Sequence, residues 1–176
     1  QLADNIGMVA RASANFGLDR LRLVNPRDGW PNEKARIAAS GANYILDDAE
    51  VFPTLAAAVG DLAWVCATTA RQRDLRKPVL TPEQAIAEMR LRIAKGERCG
   101  ILFGRERNGL ETAEVANADA IVMVPVNARF ASLNLAQAVL ILGYAWMRGH
   151  DAASLGRVTT YETPIAAGFN MGEDPP

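Results

Sequence analysis

The chain has 176 residues, 49% of them hydrophobic and 22% charged, with a formal net charge of −1. That length fits one domain with a substantial core, and the near-neutral balance excludes a chain-wide polyanion-binding surface, so any nucleic-acid contact must come from a local patch, a partner subunit or sequence beyond this chain. The two cysteines, Cys66 and Cys99, lie in apolar runs without a neighbouring histidine, which argues against a zinc site or a disulfide framework and for buried free thiols in a reducing cytoplasm.

The first residues carry no secretory pattern. A helix is expected from about Asn5 to Phe16, closed by Gly17 as a left-handed cap. It sets Asp4, Gly7, Arg11 and Asn15 on one stripe, with Ile6, Val9, Ala10 and Phe16 mainly opposite. A glycine inside a helix costs roughly 1 kcal/mol relative to alanine, so Gly7 asks for a reason. One is that its missing side chain lets another group approach the Arg11 guanidinium. The plainer reading of this helix alone is a solvated face with one exposed arginine.

"RLRLVN" (20–25) alternates polar and apolar residues like a strand. "NEKARIAAS" reads as a helix closed by Gly41, "YIL" (44–46) as a short strand, and "VFPTLAAAV" as a helix with Pro53 in its first turn. The apolar strand "LAWVCAT" (62–68) runs into the charged loop "TARQRDLRKP". There Arg71, Arg73, Arg76 and Lys77, joined by Arg105 and Arg107, could form the local basic patch that the net charge hides, although charge runs are usually solvated surface. No aromatic residue interleaves in that loop, so stacking of bases on it is not indicated.

Thr81, Pro82 and Gln84 form the start signal of a helix that runs to about Lys95 and stops at Gly96, with Thr81 and Gln84 as a capping box. "CGILF" is the next strand, and it opens into "FGRERNGL" (103–110), where Gly104 and Gly109 permit backbone approaches closed to other residues. This turn matches neither the phosphate-binding loop nor the dinucleotide fingerprint, and by itself it could be an ordinary solvated loop. A short helix near 111–118 and the strand "AIVMV" follow. The final helix, about Leu135 to Arg148, is capped by Asn134 with Gln137 three residues on. It is apolar nearly all round, which implies burial on every side, either beneath a partner subunit or as the central helix of a monomer. Phe130 to Met147 is the longest uncharged run, but its polar interruptions suit a buried helix better than a membrane span.

Alternation of this kind with short connections predicts an α/β fold with a parallel sheet flanked by helices, and ligands in such sheets bind beyond the carboxyl ends of the strands. One domain is expected over 1–148 and a linker or tail over 149–176. The sole histidine, His150, falls in that tail, which leaves little support for a histidine-dependent nucleophilic mechanism. No clustered ligands for a catalytic metal are present.

Taken together, three segments resemble the motifs of the SPOUT superfamily of methyltransferases in its SpoU/TrmH branch. "NIGMVARASANFG" is similar to motif 1 through Asn5, Gly7 and Arg11. "ILFGRERNGL" is similar to motif 2 through Gly104, Glu106 and Gly109, and "IVMVPVNARFASLNLAQAV" to motif 3 through Pro125, Ser132, Asn134 and Ala136. The wider matches resemble most the TrmJ-type tRNA 2′-O-methyltransferases, which modify cytidine or uridine at nucleotide 32 of the anticodon loop. A ribosomal RNA 2′-O-methyltransferase of the same fold and a non-catalytic RNA-binding knot protein are the alternatives.

The resemblance implies a deep trefoil knot, among the few exceptions to the avoidance of threaded chains. It also implies S-adenosylmethionine as cofactor, a homodimer, tRNA as partner and a cytoplasmic location. It assigns Arg11, Asn5, Glu106, Ser132 and Asn134 to catalysis, with Asn5 and Glu106 holding the guanidinium. Thr68, Thr69, Gly104, Ile121, Val124, Pro125, Ser132 and Leu133 are assigned to the cofactor pocket. Family members begin with an apolar strand before motif 1, expected here to lie outside these residues, and TrmJ-like members usually carry a helical C-terminal extension.

Overall fold

The computed structural model describes residues 2–69 and 76–149. Arg71, Arg73, His150 and the expected tail therefore lie outside the described residues. Helix α1 (Ala3–Ala14) is followed by strand β1 (Arg22–Val24), helices α2 (Glu33–Ala39) and α3 (Asn43–Asp47), strand β2 (Glu50–Phe52) and helix α4 (Leu55–Val59). Strands β3 (Trp64–Thr68) and β4 (Val79–Leu80), helix α5 (Pro82–Ala94), strand β5 (Cys99–Leu102), helix α6 (Thr112–Ala116), strand β6 (Ala120–Val122) and helix α7 (Leu135–Arg148) complete the order.

Among the described residues the strand pairs are all parallel, in a four-stranded sheet ordered β4-β6-β3-β5 and a separate pair β1-β2. The central strand β3 is buried on both faces, and the period of two explains its sequence. Trp64 and Cys66, with Ala120 and Val122 of β6, face Ala85, Ile86 and Met89 of α5 and Leu142 and Ala145 of α7. Val65, Ala67 and Ile121 face Leu110, Val115 and Ala118. A third cluster packs Ile6 and Ala10 of α1 against Leu23, Ala35, Ala39 and Ile45.

One carboxylate links the two sheets. Asp61 accepts two hydrogen bonds from Arg22 of β1, at 2.5 and 2.9 Å, and pairs at 2.6 Å with Arg98, just before β5. The Arg22 hydrogen bonds hold the Asp61 carboxyl well below the usual carboxylate range, against the opposing effect of desolvation.

Three expectations need correction. "YIL" lies in α3 rather than in a strand, because Ile45 and Leu46 are turned together into the α1/α2 core. The strand comes later, at Glu50–Phe52, and Pro53 stands outside α4, whose N-cap is Thr54. Gly7 does not clear space for Arg11. A Cβ on Gly7 would lie 2.1 Å from the Ala35 carbonyl oxygen and 2.7 Å from the Ala38 Cβ, so the glycine lets α2 pack directly on α1. Of the two thiols, Cys66 is buried and Cys99 half-buried, and burial pushes the Cys66 thiol up to about 12. No described helix is long and apolar enough to cross a membrane.

Candidate functional site

Strands β3, β5 and β6 end side by side, and their last residues floor a cleft of about 360 Å³. Thr68 lies opposite Val122 in the ladder, its hydroxyl donates to the Leu102 carbonyl at 3.0 Å, and the Thr69 N–H donates to the Val122 carbonyl at 3.2 Å. The floor is therefore a locked junction of three strand ends, which is where parallel sheets present ligand sites.

One wall is the loop 103–110. Arg105 and Gly109 exchange both backbone hydrogen bonds, at 3.2 and 2.8 Å, closing a tight hairpin with Glu106, Arg107 and Asn108 at its tip. Gly109 takes φ +63°, the left-handed region that favours glycine. A Cβ on Gly104 would meet the Gly109 carbonyl carbon and the Leu110 nitrogen at 2.4 Å, so only glycine lets the loop fold back on itself. The opposite wall is Ala131, Ser132, Leu133 and the first turns of α7. Asn134 fixes that wall: its side chain accepts from the Ala136 N–H at 2.9 Å, while Gln137 accepts from the Asn134 N–H at 3.0 Å.

Helix α1 joins the site through its first turn. The Asn5 amide donates to Glu106 Oε1 at 2.9 Å, and the Leu2 N–H donates to the same oxygen at 3.2 Å. Burial disfavours the ionised Glu106, but bonds from its own backbone, Asn5 and Leu2 outweigh it and leave the carboxyl below its ordinary value. Glu106 therefore anchors α1 through Asn5. It does not hold Arg11, which is exposed and makes no ion pair among the described residues.

Of the residues expected in the pocket, Thr68, Thr69, Gly104, Val124, Ser132 and Leu133 line the cleft, and Glu106 lines it too. Ile121 and Pro125 do not. Val122 and Val124 share one face of the strand, so Ile121 points to the other, into the cluster beneath α6, and Pro125 is exposed. Within the segment 121–125 expected at the pocket, Val122 supplies the floor together with Val124, as strand parity requires. Phe103, Arg107, Asn108 and Leu110 also line the cleft.

Two of the basic side chains expected in a patch, Arg105 and Lys77, are occupied, whereas Arg107 is exposed at the cleft. Arg105 pairs with Glu114 at 2.8 Å and Glu111 at 3.4 Å, and Lys77 donates to the carbonyls of Ala116, at 3.0 Å, and Ala118 at the end of α6. Both charges are spent on holding α6. Arg76 is exposed. Among the described residues, no grouping of three or more His, Cys, Asp or Glu could hold a metal ion.

Comparison with known proteins adds to this geometry. Residues 1–144 match the model of the SpoU rRNA Methylase family. The crystal structure of TrmJ from Z. mobilis ZM4 superposes with a TM-score of 0.81 at 58% identity, covering 86% of this chain and 66% of that one. The tRNA (cytidine/uridine/adenosine-2′-O-)-methyltransferase TrmJ of Pseudomonas aeruginosa (strain UCBPP-PA14) is 37% identical over 162 residues, 90% of this chain and 61% of the relative. A structure described as giving insight into 2-OH methylation of C/U34 on tRNA is 27% identical, with a TM-score of 0.64, covering 84% of this chain and 89% of that one. The chain spans about three fifths of the length of the curated relatives it matches.

Proposed function

The chain belongs to the SpoU rRNA methylase family, and from that premise we propose that it is an S-adenosylmethionine-dependent RNA ribose 2′-O-methyltransferase acting on tRNA, at cytidine or uridine of nucleotide 32. The observation that carries this reading is the cleft at the ends of β3, β5 and β6, lined by Glu106 and Ser132 of two motifs, with Asn5 of the third hydrogen-bonded to Glu106. Its volume suits a cofactor-sized ligand, roughly 300–1,000 Å³ being usual. Its lining suits the group as well: strand-end main chain at Thr68–Thr69 and Gly104, and apolar surface at Val122, Val124 and Leu133. When bound, the cofactor supplies a methyl group activated on a sulfonium sulfur.

The residues of the chain must align a ribose 2′-hydroxyl in line with that methyl and favour loss of the hydroxyl proton. Arginine keeps its own proton far above neutral pH, so Arg11 acts as an electrostatic clamp. It binds the adjacent phosphate or the developing alkoxide. Asn5 and Glu106 position α1, Ser132 faces the nucleotide, and Asn134 holds the wall that carries Ser132. The exposure of Arg11 supports a homodimer in which groups from both subunits meet at one hydroxyl. Exposed Met8 on α1 and Leu140 and Tyr144 on α7 favour the same reading. A trefoil knot around the cleft is part of this proposal, supported by the insertion of β6 between β3 and β4, both formed earlier in the chain. The site of action is the cytoplasm, in keeping with free thiols.

A ribosomal RNA target is the second reading, favoured by the description of the matching family. The C/U34 relative raises nucleotide 34 as an alternative position. The full-length protein, incubated with methyl-labelled S-adenosylmethionine and separately with total tRNA and ribosomal RNA, is expected to label tRNA, with the modified ribose mapping to nucleotide 32. Label confined to ribosomal RNA, or to no RNA, overturns the proposal.

A further inference from the structure

The segment that leads into the cleft wall at Ala131 carries an aromatic side chain that the transfer chemistry leaves without a task. Phe130 is 78% exposed, the most exposed large apolar side chain among the described residues. It immediately precedes Ala131 and Ser132, which line the cleft. Its backbone is fixed rather than trailing: the Phe130 N–H donates to the Asn127 carbonyl at 2.9 Å, and the Arg129 N–H to the Asn127 side-chain oxygen at 2.9 Å. Arg129 is exposed and takes no ion pair among the described residues, unlike Arg105 and Lys77 in the expected basic patch. The segment between β6 and α7 thus offers an unshielded cation beside an unshielded aromatic ring, on the wall that also presents Ser132.

That pairing is the chemistry by which proteins hold single-stranded nucleic acid: a ring stacks on a base face and a guanidinium takes the adjacent phosphate or covers the base. We propose that Phe130 is a positioning residue on which an unpaired base of the RNA substrate stacks, with Arg129 binding its backbone, so that the ribose is delivered to the cleft. The inference rests on the RNA methyltransferase reading and adds to it the place where a base is held. Because stacking is tolerant of base identity, Phe130 governs affinity for an unpaired loop more than the choice between cytidine and uridine.

The test uses the full-length protein with S-adenosylmethionine and unmodified total tRNA. Phe130→Ala and Phe130→Leu are each expected to raise KM for tRNA, and the tRNA Kd from filter binding, by about tenfold, the scale of losing one stacked base. Phe130→Trp is expected to stay near wild type. The S-adenosylmethionine Kd and the sedimentation coefficient stay unchanged in all three. Arg129→Gln is expected to flatten the salt dependence of tRNA binding. Wild-type affinity for tRNA in Phe130→Leu overturns the proposal, because an apolar side chain without a π face would then suffice. A changed oligomeric state in Phe130→Ala also overturns it, by showing that the ring packs against a second copy. If those variants behave as wild type while wild type methylates tRNA, only the stacking role falls. If wild type binds no S-adenosylmethionine, the methyltransferase reading falls and takes this inference with it.

Discussion

In the proposed mechanism Arg11 favours proton loss from a sugar while keeping its own proton, and its surroundings suit that. It projects from an exposed stripe of α1, and the carboxylate nearest in the motif pattern, Glu106, is taken by Asn5 and the Leu2 N–H. A clamp built on a planar fork is sensitive to geometry as well as charge. Arg11→Lys is therefore expected to lower kcat by about 10²-fold, the scale of losing one preorganised donor, with S-adenosylmethionine affinity unchanged in calorimetry. Near-normal turnover would show that a point charge is enough. Asp61 makes a separate residue-scale prediction. Its folded-state pKa lies below its ordinary value because of Arg22, so its contribution to stability is present above about pH 4 and is lost as pH falls through the folded value. Asp61→Asn is expected to melt earlier than wild type at pH 7, with the two melting curves converging as the pH drops below about 4. A gap that persists in acid would mean Asp61 acts by packing instead.

At the scale of elements, what could be read from sequence was whatever local chemistry dictates. Thr81 with Gln84 and Asn134 with Gln137 are reciprocal caps visible as letters, and both helices start where those letters say. The glycines at 104 and 109 announced an unusual turn, and the structure supplies the reason, a hairpin too close for a Cβ at Gly104. Contacts between distant segments were not legible. "YIL" is too short for its period to separate helix from strand, and only the core formed with α1 and α2 decides the matter. The two-residue β4 exists because β6 pairs with it. Asn5 and Glu106 are 101 residues apart, and nothing local couples them. Gly7 was noticed, but its partner, the backbone of α2, was not foreseeable. The close approach yields a prediction: Gly7→Ala drives a methyl into the Ala35 carbonyl. Overpacking of about 1–3 kcal/mol outweighs the roughly 1 kcal/mol gain in helix propensity. Urea unfolding is expected to show a net loss of stability, and a gain would mean that α2 can move aside without cost.

For the whole molecule, the two sheets, the cleft and the packed helices α1 and α7 have to act together. Helix α7 meets α1 through Val139 against Val9 and Ala12, and Gly143 meets Phe16 just past α1, where a Cβ would lie 2.4 Å from the ring; Phe16 sits edge-on to Tyr144 at 6.4 Å. Tyr144 is nonetheless 55% exposed and Leu140 43%, so the expectation of burial on every side of α7 is met on one side within a single chain. A second copy covering the other side is the homodimer proposed above. Leu140→Glu is expected to produce a monomer in sedimentation at micromolar concentration and to remove methylation while the fold stays intact. A wild-type monomer that methylates RNA would show that one chain suffices.

The central claim is that the junction of β3, β5 and β6 holds S-adenosylmethionine against the folded-back loop at Gly104. Calorimetry of the full-length protein tests it most directly. The account predicts saturable binding at one site per chain, lost in Gly104→Val, whose side chain would displace the Gly109–Leu110 backbone. A folded wild-type protein that takes up no S-adenosylmethionine, or a Gly104→Val variant that binds it as well as wild type, would contradict it.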